Sequence, residues 1–192
     1  MKKNLIISIL MTIVTTILLG IIYPLVVTGL AQVLFPTRAH GELIEVNGKL
    51  IGSHLIGQGF SGPTYFHSRL SSAGNGYDAT ASNGSQLGPT NHQLVDRVKT
   101  DVAVLQAENP GTPVPIDLVT SSASGLDPDI TPAAAEFQVP RVAKERGLSG
   151  ERVRELVQLH TERRQFGFLG EPRVNVLELN LALNAITQKA SR

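Results

Sequence analysis

The 192-residue sequence contains no cysteine. That excludes disulfides, thiolate metal sites and thiol nucleophiles together, while leaving the compartment open, because a domain of about 150 residues can bury enough core to stand without crosslinks. Clustered basic charge is missing too. Once Lys2 and Lys3 are set aside, the 17 basic residues fall to 15 against 16 acidic ones, spread without a basic stripe. Nucleic-acid binding is therefore not expected. The sequence lacks the phosphate-loop frame G-x-x-x-x-G-K-[ST], the zinc frame H-E-x-x-H and the nucleophile frame G-x-S-x-G. Charge of either sign is absent from Asn4 to Thr37, and the acidic residues begin only at Glu42.

That uncharged run is the strongest signal present. A bilayer core of ~30 Å needs about 20 apolar residues in a helix, and residues 5–35 exceed this, most densely from Ile6 to Leu30. Ser8, Thr12, Thr15, Thr16 and Thr28 are tolerable, since a hydroxyl can bond a carbonyl one turn back. Pro24 is expected to kink the helix, and Gly20 and Gly29 would let another helix approach closely. A cleaved signal peptide is the rival, with Gly29-Leu30-Ala31 as its cleavage site. Its apolar region would be only ~7–15 residues, far shorter than this one. Lys2 and Lys3 precede the span and Arg38 stands alone beyond it. The positive-inside rule then puts residues 1–4 in the cytoplasm, 5–35 in the membrane and 36–192 outside, which in a Gram-negative cell is the periplasm.

The remainder predicts one α+β domain. Glu42 to Gly52 forms a hairpin around Asn47-Gly48, the type I′ turn pair. A loop rich in Gly, Ser and Asn follows from Gly57 to Pro89, with Tyr65, Phe66 and Tyr77 indicating that it is packed. Val95, Val98, Val102 and Leu105 make one stripe of a helix over Asn91–Glu108, which Asn109-Pro110-Gly111 stops. Val114 to Val119 reads as a short buried strand, and Thr120 to Ile130 as a loop. Thr131-Pro132 starts a helix that Pro140 interrupts, with a further turn to Gly147, and Ser149 caps the next, whose Val153, Leu156, Val157 and His160 share a face. Leu177, Leu179, Leu181 and Leu183 alternate as in a strand. Asn175 with Glu178 as a capping box, and Leu179, Leu183 and Ile186 as a stripe, favour a helix. Hairpin, strand and helices without βαβ repetition give α+β rather than a doubly wound sheet.

Candidate chemistry is thin. His40, His54, His67, His92 and His160 show no metal-ligand spacing, so no metal site is expected. His160, on an apolar helix face, reads as a hydrogen-bonded core histidine. Ser121-Ser122-Ala123-Ser124-Gly125 reads as a tight loop, and Asp127-Pro128-Asp129 lacks the glycine and glutamate of a calcium loop. Leu55-Ile56-Gly57-Gln58 echoes the end of an ABC-transporter signature and makes Gln58 the one nucleotide-binding candidate. A hairpin-exit turn also explains Gly57 and Gly59.

Longer segments carry a resemblance. They are 52–60 (Gly-Ser-His-Leu-Ile-Gly-Gln-Gly-Phe), 65–69 (Tyr-Phe-His-Ser-Arg), 113–127, 138–143 (Gln-Val-Pro-Arg-Val-Ala), 170–176 (Gly-Glu-Pro-Arg-Val-Asn-Val) and 179–183 (Leu-Asn-Leu-Ala-Leu). With the N-terminal span they cover nearly the whole chain, which resembles the C-subunit family of the Kdp-type potassium-transporting ATPases. One departure is Arg69-Leu70-Ser71, where the family pattern has Arg-Pro-Ser.

The resemblance implies a non-catalytic subunit in the cell inner membrane, partnered by a channel-like A subunit, a P-type ATPase B subunit and a small F subunit. It implies a role in assembly. It further implies a catalytic-chaperone role that raises the ATP affinity of the B subunit, with ATP met in a ternary complex rather than as a cofactor of this chain. Cytoplasmic ATP conflicts with an extracytoplasmic domain, so coupling through the span is the alternative route. Two other classes remain: an anchored extracytoplasmic hydrolase using Ser124 or Asp127, and a solitary adaptor or solute-binding domain.

Overall fold

With no charge after Lys3 and no central proline except Pro24, residues Lys2–Leu34 form one apolar helix, α1, in the computed structural model, which describes residues 2–190. None of its side chains is buried, so its apolar surface demands a non-aqueous surrounding. The hydroxyls of Ser8, Thr12 and Thr15 bond back to the carbonyls of Asn4, Ser8 and Met11 at 2.8–2.9 Å, removing their polarity from the surface. Pro24 makes itself felt as a π turn over Leu18–Ile22 immediately before it. A proline ring crowds the carbonyl four residues earlier, and the wider turn relieves that contact. Methyl groups added at Gly20 and Gly29 would meet nothing closer than Thr16 Cγ2 at 3.9 Å. The helix's own packing therefore does not require glycine at either place.

The described chain divides between Ser53 and His54 into two compact units. The first contains α1, the short α2 (Pro36–Ala39) and a hairpin of β1 (Leu43–Val46) with β2 (Lys49–Ser53). Asn47 and Gly48 take φ of +54° and +74°, as a type I′ turn requires. The register shifts between Ile44 and Glu45, leaving Ile51 as the extra residue of a bulge.

The second unit is built on α4 (Pro132–Arg146), α5 (Gly150–Leu159) and α6 (Val176–Ala190), with α3 (His92–Glu108) more loosely attached. Thr131 and Ser149 each accept a backbone N–H as the N-cap of α4 and α5, as expected, and Asn91, expected as the first residue of α3, is its N-cap instead. Gly147 closes α4 at φ +64°. The core joins Phe137, Val139 and Val142 of α4 to Val153 and Val157 of α5 and to Leu179 and Leu183 of α6, with Phe66 from the long loop at its centre. A three-stranded antiparallel sheet runs β3 (Asp129–Ile130), β5 (Arg173–Asn175), β4 (Thr161–Glu162), with β5 in the middle.

Several local expectations change. Val114–Val119 is not a strand: Ile116–Leu118 is a 3-10 turn, because Asp117 points both carboxylate oxygens at Thr131, and Thr120 bonds back to the Ile116 carbonyl. Pro140 does not interrupt α4, which continues through it. One backbone bond is lost, but Phe137, Gln138, Val139, Val142 and Ala143 are buried on either side, and that packing outweighs the loss. The expected loop 120–130 ends in β3, and β4 and β5 form a hairpin where no strand is expected. The terminal segment is the helix, with Asn175 Oδ1 accepting the Glu178 N–H at 3.1 Å. The return half of the capping box is missing, because Glu178 turns to His54 at 2.9 Å.

Candidate interaction site

The densest polar construction in the second unit holds the backbone of residues 63–67. Asn180, fully buried on α6, accepts the Phe66 N–H and donates to the Phe66 carbonyl, each at 2.9 Å. Gln138, buried on α4, does the same for His67 at 2.8 and 3.1 Å. Arg141, one turn further, donates to the carbonyls of Pro63 and Tyr65 and to Gln138 Oε1. Arg146 donates to the Thr64 carbonyl at 2.7 Å and stacks 4.7 Å above the Tyr65 ring. Side chains thus supply the partners that a neighbouring strand would give a buried extended segment. Burial pushes the His67 imidazole below its ordinary value, the hydrogen bond to the Gly62 carbonyl opposes this, and nearby Arg141 adds to the depression.

A second polar region is a cleft of about 300 Å³ lined by Arg69, Asp117, Asp127, Asp129, Thr131 and Arg173 among others. Both of its arginines are engaged by carboxylates. Arg69 meets Asp127 at 2.9 Å, and Arg173, on the central strand, reaches Asp129 at 3.0 Å and Glu162 at 2.6 Å. Burial raises the Asp129 carboxyl above its usual range, with Arg173 acting against it. Asp117 caps α4 through Thr131. Among the described residues no group of three or more His, Asp or Glu is placed to hold a metal ion.

The residues singled out in the sequence are not brought together. Gln58 lines neither this cleft nor two others of about 210 and 360 Å³, and its carbonyl accepts the Ser68 hydroxyl at 3.4 Å. Its glycine neighbours are explained by close approach rather than by a turn. A methyl group at Gly57 would lie 2.4 Å from the Asp127 carbonyl oxygen, and one at Gly59 would lie 3.0 Å from the Tyr77 ring. Ser124 Oγ accepts the Leu126 N–H at 3.1 Å, and among the described hydrogen bonds neither a histidine nor a carboxylate reaches it. Asp127 is engaged by Arg69 and by the Asp129 N–H. His160 is half-buried at the end of α5, with Nδ1 2.9 Å from the Leu156 carbonyl.

Sequence reasoning missed Asn180, Gln138, Arg141 and Arg146 as a set. Three of them lie inside the segments that carry the resemblance, but nothing local reveals that they converge on one loop. It also missed the β4–β5 hairpin, whose tip carries Phe166, Phe168 and Leu169 at exposures of 87%, 71% and 47%. Two phenylalanines spaced by Gly167 were the available signal.

Comparison with known proteins adds to this geometry. The family model described as the c chain of the K+-transporting ATPase matches residues 5–185. A protein of Koribacter versatilis is 66% identical over 184 residues, covering 96% of this chain and 95% of its own. Proteins of Acidobacterium capsulatum and Caulobacter vibrioides are 59% and 57% identical, covering 92% and 88% of this chain and 95% and 87% of theirs. All three are named potassium-transporting ATPase KdpC subunit.

Proposed function

The chain belongs to the K+-transporting ATPase c-chain family, and from that premise we propose that it serves a potassium pump as a non-catalytic, membrane-anchored subunit. The observation that carries this is the use to which the motif side chains are put. Gln138, Arg141 and Asn180 bond the backbone of residues 63–67, and Asp127 bonds Arg69. They build a surface, and among the described residues no nucleophile, base and oxyanion donor face one point.

The subunit sits in the inner membrane with α1 as its span, its N-terminus in the cytoplasm and its second unit outside. Lys2 and Lys3 support that direction, against Arg38 standing alone beyond the span. Its partners are a channel-like subunit, a P-type ATPase subunit and a small accessory subunit. Any effect on the ATP affinity of the ATPase subunit runs through α1, whose Gly20 and Gly29 leave room for a partner helix. Such coupling requires α1 to contact two pump states unequally.

Copurification of the tagged chain from detergent with a P-type ATPase carrying the Asp-Lys-Thr-Gly-Thr motif tests the assignment, and absence of any such ATPase would overturn it. Replacing α1 by an all-leucine helix of equal length tests the role of the span. Lower recovery of the complex is expected, whereas unchanged recovery would reduce α1 to a tether.

A further inference from the structure

Phe166 is the most exposed large apolar residue described in the whole chain, at 87%, exceeding even those of α1. It stands with Phe168 and Leu169 on the tip between β4 and β5, a place where solubility alone would select polar residues. The tip is a fixed knob. Gln165 and Leu169 exchange backbone hydrogen bonds at 2.9 Å, Gly167 donates to the Arg164 carbonyl at 3.1 Å, and Phe168 donates to Gln165 at 3.2 Å. Phe166 itself takes φ +52°, a region that bulky side chains rarely occupy. Rigid aromatic side chains on a preformed turn are what a pocket in a protein surface binds well, because little conformational freedom remains to be lost.

The charges around the knob decide between a protein and the bilayer. Arg164 is ion-paired with Glu171, and Arg173 with Glu162 and Asp129, so the base of the hairpin is a neutral mosaic with exposed carboxylates. A loop that inserts among anionic headgroups keeps its cations uncommitted. Of the hairpin's arginines, Arg163 is the exposed one for which no ion pair is described, suited to a single carboxylate on a pocket rim. The area argues further. Three side chains fall far short of the ~800 Å² per partner of a stable free-standing complex. Such a contact holds only where the partner is already kept close, and an anchor in the same membrane gives that proximity.

We infer that the tip Phe166-Gly167-Phe168-Leu169 docks in an apolar, carboxylate-rimmed pocket on another membrane-embedded subunit of the same pump, on the side of the membrane where this domain lies. This rests on the subunit assignment above.

The absence of cysteine supplies the test. Phe168→Cys places a unique thiol in this chain, and its modification by polyethylene-glycol maleimide is read as a gel shift of this subunit alone, whatever cysteines the partners carry. Ile116→Cys, at a site 74% exposed outside the hairpin, is the reference. The full chain is labelled alone in detergent, alone in lipid nanodiscs and in the assembled complex. Modification at position 168 is expected to slow about tenfold or more on assembly, as desolvation of a buried anchor implies, with position 116 unchanged. Equal rates in all three states would overturn the inference while leaving the subunit assignment intact. Slowing already in nanodiscs without partners would overturn it in favour of the bilayer. Equal slowing at positions 116 and 168 would replace a docking knob by general shielding, and failure of the unsubstituted chain to copurify with the ATPase would overturn both.

Discussion

Asn180 and Phe66, 114 positions apart in the chain, are joined by two hydrogen bonds of 2.9 Å in which the side-chain amide pairs with both backbone groups of Phe66. Gln138 repeats the arrangement on His67 across 71 positions. Two amides therefore stand in for a β-ladder beneath a loop whose Phe66 side chain is fully buried in the core. The loop becomes part of the core without becoming a strand.

We predict that Asn180→Leu, close in volume, destabilises the domain by about 2–6 kcal/mol, because two buried backbone groups lose their partners at roughly 1–3 kcal/mol each. Asn180→Asp should not rescue it, since a carboxylate can accept from the Phe66 N–H but repels the Phe66 carbonyl. Denaturant unfolding of the detergent-solubilised chain measures this. A midpoint matching that of the unsubstituted chain would show that water replaces the amide.

His67 gives a pH dependence of defined sign. Its folded-state pKa is held below the ordinary value by burial, while the unfolded chain titrates near 6.5. Above about pH 6.5 both states are neutral and the domain keeps its full stability. As the pH falls through 6.5 the unfolded chain takes up the proton first, and stability declines until the folded pKa is reached. Asp129, with its raised folded pKa, acts in the opposite sense in more acidic solution. We predict a smaller loss of stability between pH 7.5 and 5.5 for His67→Gln than for the unsubstituted chain. Identical pH profiles for the two would refute it.

How much was legible in the sequence depends on how local the cause was. α1 is written in a charge-free run, the β1–β2 turn in Asn47-Gly48, and the caps at Thr131 and Ser149 in single residues beside their helices. Strands β3, β4 and β5, of two or three residues each, are too short for a period-two pattern to register. Val114–Val119 carries strand-like side chains, yet Asp117 and Thr120 turn it by hydrogen bonds that composition does not reveal. The surface of interest was hidden for the same reason. Asn180, Gln138, Arg141 and Arg146 act on residues many tens of positions away.

Orientation is open to a direct assay. With Lys2 and Lys3 at the start of α1 and a lone Arg38 after it, a reporter fused after Arg192 should be active only outside the inner membrane. Two lysines inserted after Phe35 should weaken the bias, since basic residues near a span end set its direction. A cytoplasmically active C-terminal fusion of the unaltered chain would reverse the assignment.

ATP provides the last prediction. The chain in detergent should bind nucleotide weakly and without magnesium dependence, if it binds at all. No glycine-rich phosphate loop precedes a helix, and a net charge of +1 gives little long-range attraction for a polyanion. The glycine of Leu-Ile-Gly-Gln has a structural task, because a methyl group at Gly57 would collide with the Asp127 carbonyl. Gly57→Ala would thus impair folding and imitate loss of a ligand site. Gln58→Ala is the informative variant, since the described hydrogen bond of Gln58 comes from its backbone carbonyl. Isothermal calorimetry decides the matter. Micromolar affinity abolished by Gln58→Ala would restore a direct nucleotide site. Undetectable binding, together with a lower ATP affinity of the pump when this subunit is removed, would favour the coupling through α1 proposed above.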